Sequence, residues 1–339
     1  LFMVWKPAVM RKRRVINSLN NNTPIVEKPM RIVLAPMEGL ADVHLRRLLT
    51  AQGGFDWVVS EFLRVVDRVY PDRVFYKLCP ELRHGGKVSC GTPIRVQLMG
   101  NDPHAMAENA HLAVSLGSYG IDINFGCPSK TVNRRQAGSS MLKDPESLYR
   151  VVNAVRCALP AHVTVSAKMR LGYDDLSLML DNAHAIESGG ANEITVHART
   201  RLQGYSPPAH WDELAKIKRS IRIPLIANGD IWTVADYHAC VAASGTPDVM
   251  LGRGAVRCPD LASKIRKNEM TEPQWQAVRQ LLINFWQDIR QTMPEKDCAG
   301  RLKQWLNHLR KVHPDAEALW QVIRTENQIG KLERLLEAA

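Results

Sequence analysis

The sequence lacks any uninterrupted apolar stretch near the roughly 20 residues that span a bilayer, so a membrane-spanning protein is not expected. It also lacks a Cys-x-x-Cys pair, and its seven cysteines are scattered over 339 residues. This argues against a zinc ribbon, a cysteine-rich iron–sulfur cluster and a disulfide scaffold. We therefore expect reduced thiols, no bound metal and a cytoplasmic location. The apolar content of 45% excludes a wholly disordered chain.

Acidic residues are too few to balance the basic ones, and the formal net charge is +11. Residues 1–29 carry six basic groups and one acidic group, and so hold +5 of this excess. That segment has no apolar periodicity, and its charge cluster follows its apolar start, the reverse of a secretory signal. We interpret residues 1–29 as a disordered or non-native extension. The remaining +6 is moderate and favours a polyanionic partner.

Short β-branched runs recur eight times in the body of the chain and alternate with helix-like stretches. The runs lie at residues 31–36, 56–62, 94–100, 120–126, 163–172, 193–200, 224–230 and 248–254. Buried strands that alternate with helices favour a parallel sheet, and eight units fit a (β/α)₈ TIM barrel. A doubly wound open sheet is the alternative. It usually carries a glycine-rich first turn, whereas this one is Ala35-Pro36-Met37-Glu38-Gly39.

The character of the chain changes after Asp260. Strand-like runs stop there, and amphipathic patterns with four of the eight tryptophans take over. We therefore predict a barrel over residues 30–259, followed by a small all-helical C-terminal domain over residues 260–339.

Polar and charged side chains stand at the predicted carboxyl ends of the strands, where TIM-barrel active sites lie. They are Met37 with Glu38, Glu61, Gln97, Asn124 with Cys127, Lys168 with Arg170, His197 with Arg199, Asn228-Gly229-Asp230 and Gly252-Arg253-Gly254. The last two groups suit a phosphate site with Arg253 as a charged partner. Tight βα turns would require the same glycines.

Three of these residues allow more than one interpretation. Lys168 ends an apolar run and suits a Schiff-base carbonyl, an anion or the electron-rich end of a flavin, or else it extends to solvent at the rim. His197 suits a base, a phosphate ligand or a hydrogen-bonded core residue. Cys127, three residues after Asn124, suits a nucleophile or a proton donor.

Seven motifs, in this order, resemble the tRNA-dihydrouridine synthases from Met30 to the C-terminus. They are Ala35-Pro36-Met37-Glu38-Gly39, Gln97-Leu98-Met99-Gly100, Asp122-Ile123-Asn124-Phe125-Gly126-Cys127-Pro128-Ser129-Lys130, Lys168-Met169-Arg170-Leu171-Gly172, Val196-His197-Ala198-Arg199-Thr200, Ala227-Asn228-Gly229-Asp230 and Gly252-Arg253-Gly254. The Asn-x-Gly-Cys-Pro motif is the most specific of them. The resemblance implies flavin mononucleotide (FMN) in the barrel mouth, NADPH as reductant and a uridine of tRNA as substrate.

The resemblance also implies roles for single residues. The FMN contacts would be Ala35, Pro36, Met37, Gln97, Lys168, His197, Asn228, Gly229, Asp230, Gly252 and Arg253. In the implied reaction, hydride passes from FMN N5 to uracil C6, and Cys127 protonates C5 as the general acid. Lys168 would stabilise negative charge on the reduced flavin. Asn124 would orient the uracil or its ribose, and Arg170 would contact the nucleotide.

The target base must leave the folded tRNA elbow, so we expect phosphate contacts that offset this cost. Residues 301–311 predict a helix with an apolar stripe that includes Trp305, which we place in the core, and with basic residues on the remaining face. By resemblance, the tRNA contacts are Arg301, Lys303, Arg310 and Arg324. Nothing indicates that a dimer is required, so a monomer is expected.

Shorter stretches bear on the subfamily. Residues 61–67, 142–145 and 301–306 resemble the bacterial C subfamily, which modifies D-loop uridine 16, and Arg64 would be its specific tRNA contact. Residues 133–139 look more like the B subfamily, whose target is another D-loop position. Two other functions stay open. One is a flavin barrel that reduces a free pyrimidine, and the other is a non-catalytic tRNA-binding protein with a relic flavin site.

Overall fold

The structure is a computed structural model that describes residues 30–129, 137–271 and 274–338. The predicted extension at 1–29 and most of the B-like stretch, residues 133–136, lie outside these ranges. In the described part, eight parallel strands close into a barrel in chain order. The strands are β1 (Ile32–Leu34), β2 (Trp57–Arg64), β3 (Ile94–Met99), β4 (Gly120–Phe125), β5 (Thr164–Arg170), β6 (Glu193–His197), β7 (Leu225–Asn228) and β8 (Val249–Leu251). The TIM-barrel prediction is confirmed, and the open sheet is excluded.

Helices surround the barrel and continue beyond it. The barrel helices are α1 (Val43–Ala51), α2 (Asp72–Leu78), α3 (Pro103–Ser115), α4 (Pro145–Ala158), α5 (Met179–Ser188), α6 (Trp211–Ser220), α7 (Val234–Ser244), α8 (Arg253–Arg257) and α9 (Leu261–Lys267). The C-terminal helices are α10 (Trp275–Thr292), α11 (Glu295–Leu309), α12 (Pro314–Ile323) and α13 (Ile329–Ala338). In the described ranges, no helix is both long and apolar enough to cross a membrane.

Local sequence signals fix several helix ends. Asp42 caps α1 by accepting the Leu45 N–H, and Asp102 caps α3 in the same way. Helix α7 begins with a capping box of Thr233 and Asp236 and ends at Gly245, whose φ of 71° is left-handed. The parallel pairing of all eight strands then places their carboxyl ends at the same face of the barrel.

The barrel interior is apolar on one side and polar on the other. Strands β1, β2, β7 and β8 contribute an apolar cluster of Val33, Ala35, Trp57, Val59, Ile226 and Met250. Strands β3 to β6 contribute the hydrogen-bonded side chains of Arg95, Gln97, Asp122, Ser166 and Glu193. The polar side continues to the carboxyl ends of the same strands, where the active site is predicted.

The C-terminal helices pack on the barrel through a buried tryptophan. Trp305 is fully buried, its ring meets Phe285 edge-on at 4.9 Å, and its Nε1 donates to the Val256 carbonyl at 3.0 Å. The prediction that Trp305 is a core residue is therefore confirmed. Helix α9 follows Asp260 but packs against α7 and α8, and Arg266 on it donates to the Gly54 carbonyl at 2.6 Å. It therefore completes the eighth strand–helix unit of the barrel.

Candidate active site

A cavity of about 500 Å³ opens at the carboxyl ends of the strands. This volume is typical of a small-molecule site. All eleven residues predicted as cofactor contacts line it, together with Asn124, Cys127 and Arg170. The barrel register brings them together, since Asn124 pairs with Lys168 on the next strand and His197 pairs with Asn228.

Lys168 faces the inside of this cavity. Its Nζ donates to Oδ1 of Asn228 at 3.0 Å, and Asn228 Nδ2 donates to the Met250 carbonyl at 2.8 Å. Among the described residues, Lys168 forms no ion pair with a carboxylate. Burial, and then the charge of Arg170, lowers the pKa of Lys168 to about 8. This cation lines the cavity, and its hydrogen-bond partner among the residues that the structure describes is the neutral amide of Asn228.

His197 is a neutral imidazole at pH 7. Burial, and then Arg170 and other nearby cations, holds its pKa well below the usual value. The turn after β7 passes close to the His197 ring: a Cβ added at Gly229 would lie 3.0 Å from His197 Cδ2. Gly229 also has a φ of 119°, which glycine adopts without strain.

The turns after β7 and β8 pack against each other. A Cβ at Gly254 would lie 2.0 Å from the Ile231 carbonyl oxygen, so this position requires glycine. The Asp230 carboxylate is bound within the protein, since it pairs with Arg199 and accepts the Ala209 N–H at 3.1 Å. Both turns line the cavity, the first through Gly229 and Asp230 and the second through Gly252 and Arg253.

Cys127 lies on the cavity wall against Met99 and Ala137 and is 8% exposed. Its backbone N–H donates to Asn124 Oδ1 at 3.0 Å, and the Gly126 N–H donates to the same oxygen at 2.9 Å. Burial raises the pKa of the thiol. The thiol therefore keeps its proton at neutral pH, which favours a proton donor over a nucleophile.

Arg170 joins two loops at the cavity mouth. Its Nε donates to the Gly126 carbonyl at 2.8 Å, and its Nη1 donates to the Gly204 carbonyl at 2.8 Å. The guanidinium carbon lies 5.2 Å from the ring centroid of Tyr205, which itself lines the cavity. Sequence reasoning missed Tyr205, because it lies in a loop beyond β6 without a periodic pattern. It also missed Trp232, which lines the cavity two residues after the predicted Asn228-Gly229-Asp230 turn.

The tRNA contacts predicted beyond the target nucleotide lie outside the cavity lining and differ in exposure. Arg324 is exposed at the end of α12. Arg310 pairs with Glu317 at 2.8 Å, and Lys303 donates to Asn327 at 2.7 Å. Arg64 ends β2, two residues after Phe62, which lines the cavity, so this residue lies near the cavity.

Arg301 differs from its predicted place on an exposed basic face. It is 7% exposed, pairs with Asp42 at 2.7 Å and donates to the Leu40 carbonyl at 2.8 Å. The expectation of exposure is wrong because α11 packs directly on the loop between β1 and α1, and Arg301 points into that contact.

Comparisons with known proteins agree with one family. A model described as Dihydrouridine synthase (Dus) matches residues 33–339. A "tRNA-dihydrouridine(16) synthase" of Aquipseudomonas alcaligenes is 45% identical over 311 residues, which cover 91% of this chain and 99% of the relative. The protein of the same name from Pseudomonas putida is 46% identical over 311 residues, which cover 91% and 96%.

Solved structures support the fold alone. Histamine dehydrogenase from Rhizobium sp. 4-9 superposes with a TM-score of 0.53 at 13% identity, over 75% of this chain and 48% of that one.

Proposed function

This chain belongs to the dihydrouridine synthase family, and on that premise we propose that it reduces uridine 16 in the D-loop of tRNA, using FMN and NADPH. Family membership makes it a flavin-dependent oxidoreductase that converts uridine in tRNA to 5,6-dihydrouridine. Position 16 rests on the names of relatives that are 45% and 46% identical over nearly their whole length. Residues 30–259 would form the catalytic domain together with helix α9, and the rest of residues 260–339 would form the tRNA-binding domain.

The residues present fit FMN. Lys168 supplies a cation on the cavity lining that, within the described ranges, bonds an amide rather than a carboxylate, which suits the flavin edge that becomes negative on reduction. Met37, Gln97 and His197 lie on the same lining, as do the two packed glycine turns and Arg253, which suit the phosphate. When bound there, the flavin supplies the hydride that uracil reduction needs.

The observation that carries the proposal is the buried Cys127 thiol on the wall of this cavity. Burial raises the pKa of its thiol, and the backbone around it is fixed by Asn124 Oδ1. Protonation of uracil C5 requires an acid beside the substrate pocket that keeps its proton at neutral pH, as this thiol would. Asn124 and Arg170 line the same cavity and would orient the flipped nucleotide.

Binding of tRNA would use the barrel mouth and the C-terminal helices. We assign Arg64, Lys303, Arg310 and Arg324 to phosphate contacts, because each carries a charge outside the fully buried core. Arg301 would act on RNA mainly by holding the surface on which these residues stand. We also infer a monomer without a metal ion in the cytoplasm, where tRNA and reduced thiols occur together. Size-exclusion chromatography and metal analysis of the purified protein would check the first two points.

Position-resolved mapping of dihydrouridine tests the function directly. We would compare tRNA from cells with the gene, without it, and without it but supplied with wild type or Cys127→Ala. Loss confined to position 16, restored only by wild type, is the expected result. Loss at another D-loop position would overturn the assignment of uridine 16 as the target. An unchanged dihydrouridine profile, with no redundant synthase present, would overturn the tRNA assignment, and activity on free uracil or orotate would then support a free-pyrimidine reductase.

A further inference from the structure

A single chain of buried hydrogen bonds runs from Asp122 to the backbone of Cys127. Asp122 Oδ2 accepts from Gln97 Nε2 at 2.6 Å. Gln97 Oε1 accepts from Asn124 Nδ2 at 2.8 Å. Asn124 Oδ1 in turn accepts the N–H groups of Gly126 and Cys127 at 2.9 and 3.0 Å. Three side chains on two neighbouring strands thus end at the loop that carries the thiol.

The orientation of each amide in this chain is fixed from the Cys127 end. Two backbone N–H donors require the oxygen of Asn124 on their side, so its Nδ2 must point to Gln97. Gln97 must then present its oxygen to Asn124 and its Nε2 to the other side. Gln97 is fully buried, so this last donor needs an acceptor inside the protein. Asp122 is that acceptor.

Asp122 acts only through other residues. It is 1% exposed, and it is not part of the cavity lining, whereas Gln97, Asn124 and Cys127 all are. Its second oxygen accepts from Ser166 Oγ at 2.7 Å, so both oxygens have partners within the barrel interior. No substrate in the cavity could touch it directly.

We propose that Asp122 is a positioning residue, the terminal acceptor that holds Gln97 and Asn124 in one orientation and thereby fixes Cys127 at the cavity wall. Without this acceptor, the Gln97 amide turns or shifts to find one, and Asn124 loses its own acceptor. The Cys127 loop then loses two backbone hydrogen bonds. The importance of this position for the reaction rests on the acid role proposed above for Cys127.

The variants follow from the hydrogen-bond directions. Asp122→Asn keeps an oxygen that accepts from Gln97 and an amide that donates to Ser166, so it preserves the chain. Asp122→Leu has a similar size and no acceptor. Asn109→Leu is the matched control, because Asn109 on α3 is also fully buried and hydrogen-bonded, donating to the Ala105 and Arg68 carbonyls and accepting the Tyr70 N–H.

Alkylation of Cys127 by iodoacetamide, followed residue by residue with mass spectrometry, reports on the loop without any need for activity. The exposed Cys90 and Cys157 serve as internal references. We expect Asp122→Leu to raise the Cys127 rate by at least about threefold, since a thiol that is 8% exposed becomes accessible when its loop loosens. Asp122→Asn and Asn109→Leu should stay within about twofold of wild type.

Half-reactions of the flavin-loaded enzyme test the consequence. NADPH would reduce the flavin first, and tRNA lacking dihydrouridine would then reoxidise it, both followed by flavin absorbance. In Asp122→Leu, the tRNA-dependent step should slow by about tenfold to a hundredfold, because a misplaced acid loses its geometry. Reduction by NADPH is the internal reference: because Gln97 also lines the flavin site, this step should slow too, but by less than the tRNA-dependent step, and Asp122→Asn should restore the tRNA step.

Equal Cys127 alkylation in Asp122→Leu and wild type would overturn the proposal. So would the same rise in Asn109→Leu, or an unchanged tRNA step in a variant whose Cys127 has become accessible. If Asp122→Leu fails to fold, Gln97→Met breaks the next link, and the same alkylation result is required of it. If wild-type enzyme fails to pass electrons to tRNA, the proposed function falls, while the alkylation result still decides the place of Asp122.

Discussion

Removing the Arg301 guanidinium should destabilise the chain, although its position in the sequence suggests an RNA contact. In Arg301→Ala, the Leu40 carbonyl loses a donor at 2.8 Å, and Asp42 loses its ion pair at 2.7 Å. Breaking a buried pair costs about 3–5 kcal/mol. The low end of this range applies because the Asp42 side chain is 25% exposed. We therefore expect a loss of about 3 kcal/mol, or about 6 °C in melting temperature.

Urea unfolding followed by tryptophan fluorescence would measure this loss, since Trp286 and Trp305 are both buried in the C-terminal helices. The loss should also depend on pH. Despite its burial, Asp42 has a lowered pKa because of Arg301. A lowered carboxylate pKa stabilises the fold above its unfolded value of about 3.9, so the difference between wild type and variant should shrink as the pH falls below that value.

Arg324→Ala is the matched control, because Arg324 is exposed on the same group of helices. It should leave the free energy of unfolding within about 0.5 kcal/mol of wild type. It should weaken tRNA binding and reduce the salt dependence of that binding by about one ion. If Arg301→Ala instead unfolds at the wild-type urea concentration and loses only tRNA affinity, the guanidinium acts on RNA and the structural reasoning is refuted.

Three further predictions concern the cavity. The affinity of the flavin-free chain for FMN should fall as the pH rises through about 8. Burial, and then Arg170, lowers the pKa of Lys168 to about 8, and only its ammonium form attracts an anion. Fluorescence titration of FMN binding checks this, and a pH dependence that persists in Lys168→Met would contradict it. Gly254→Ala should cost about 2 kcal/mol in urea unfolding, since its Cβ would meet the Ile231 carbonyl at 2.0 Å. Gly300→Ala on α11, with open space around it, should instead stabilise the fold by about 1 kcal/mol or less. Cys127→Ala should slow dihydrouridine formation on native tRNA by about a hundredfold or more; an unchanged rate would remove the acid assignment.

The sequence predicts most of the cavity because a parallel barrel places all strand ends on one face. In such a barrel, the residues that follow the eight strands converge, whatever their distance along the chain. The register shows this directly, since Arg170 lies opposite His197 and His197 lies opposite Asn228. The strand pattern does not predict Tyr205. Its position depends on a loop that Arg170 holds by a hydrogen bond to the Gly204 carbonyl, which the strand pattern does not indicate.

Arg301 shows a different limit of sequence reasoning. It stands four residues before Trp305, so the two share one face of α11, and the face with Trp305 is the buried one. A charged residue on such a face is expected at the surface unless a partner meets it inside. Here the partners are Asp42 and the Leu40 carbonyl, on a loop more than two hundred residues earlier in the chain. Only the packing of α11 on the barrel supplies them.

The same packing joins the helical domain to the cavity. Besides Arg301, Gln304 on α11 donates to the Gly39 carbonyl at 2.6 Å, and Glu61 on β2 accepts the Gly39 N–H at 2.5 Å. This loop begins with Ala35 and Met37, which form one side of the cavity. A helix that carries predicted RNA contacts therefore also holds a wall of the predicted flavin site. Since a hydrogen-bonded loop loses order when its partners are removed, the helical domain contributes to the shape of the catalytic cavity as well as to the surface around it.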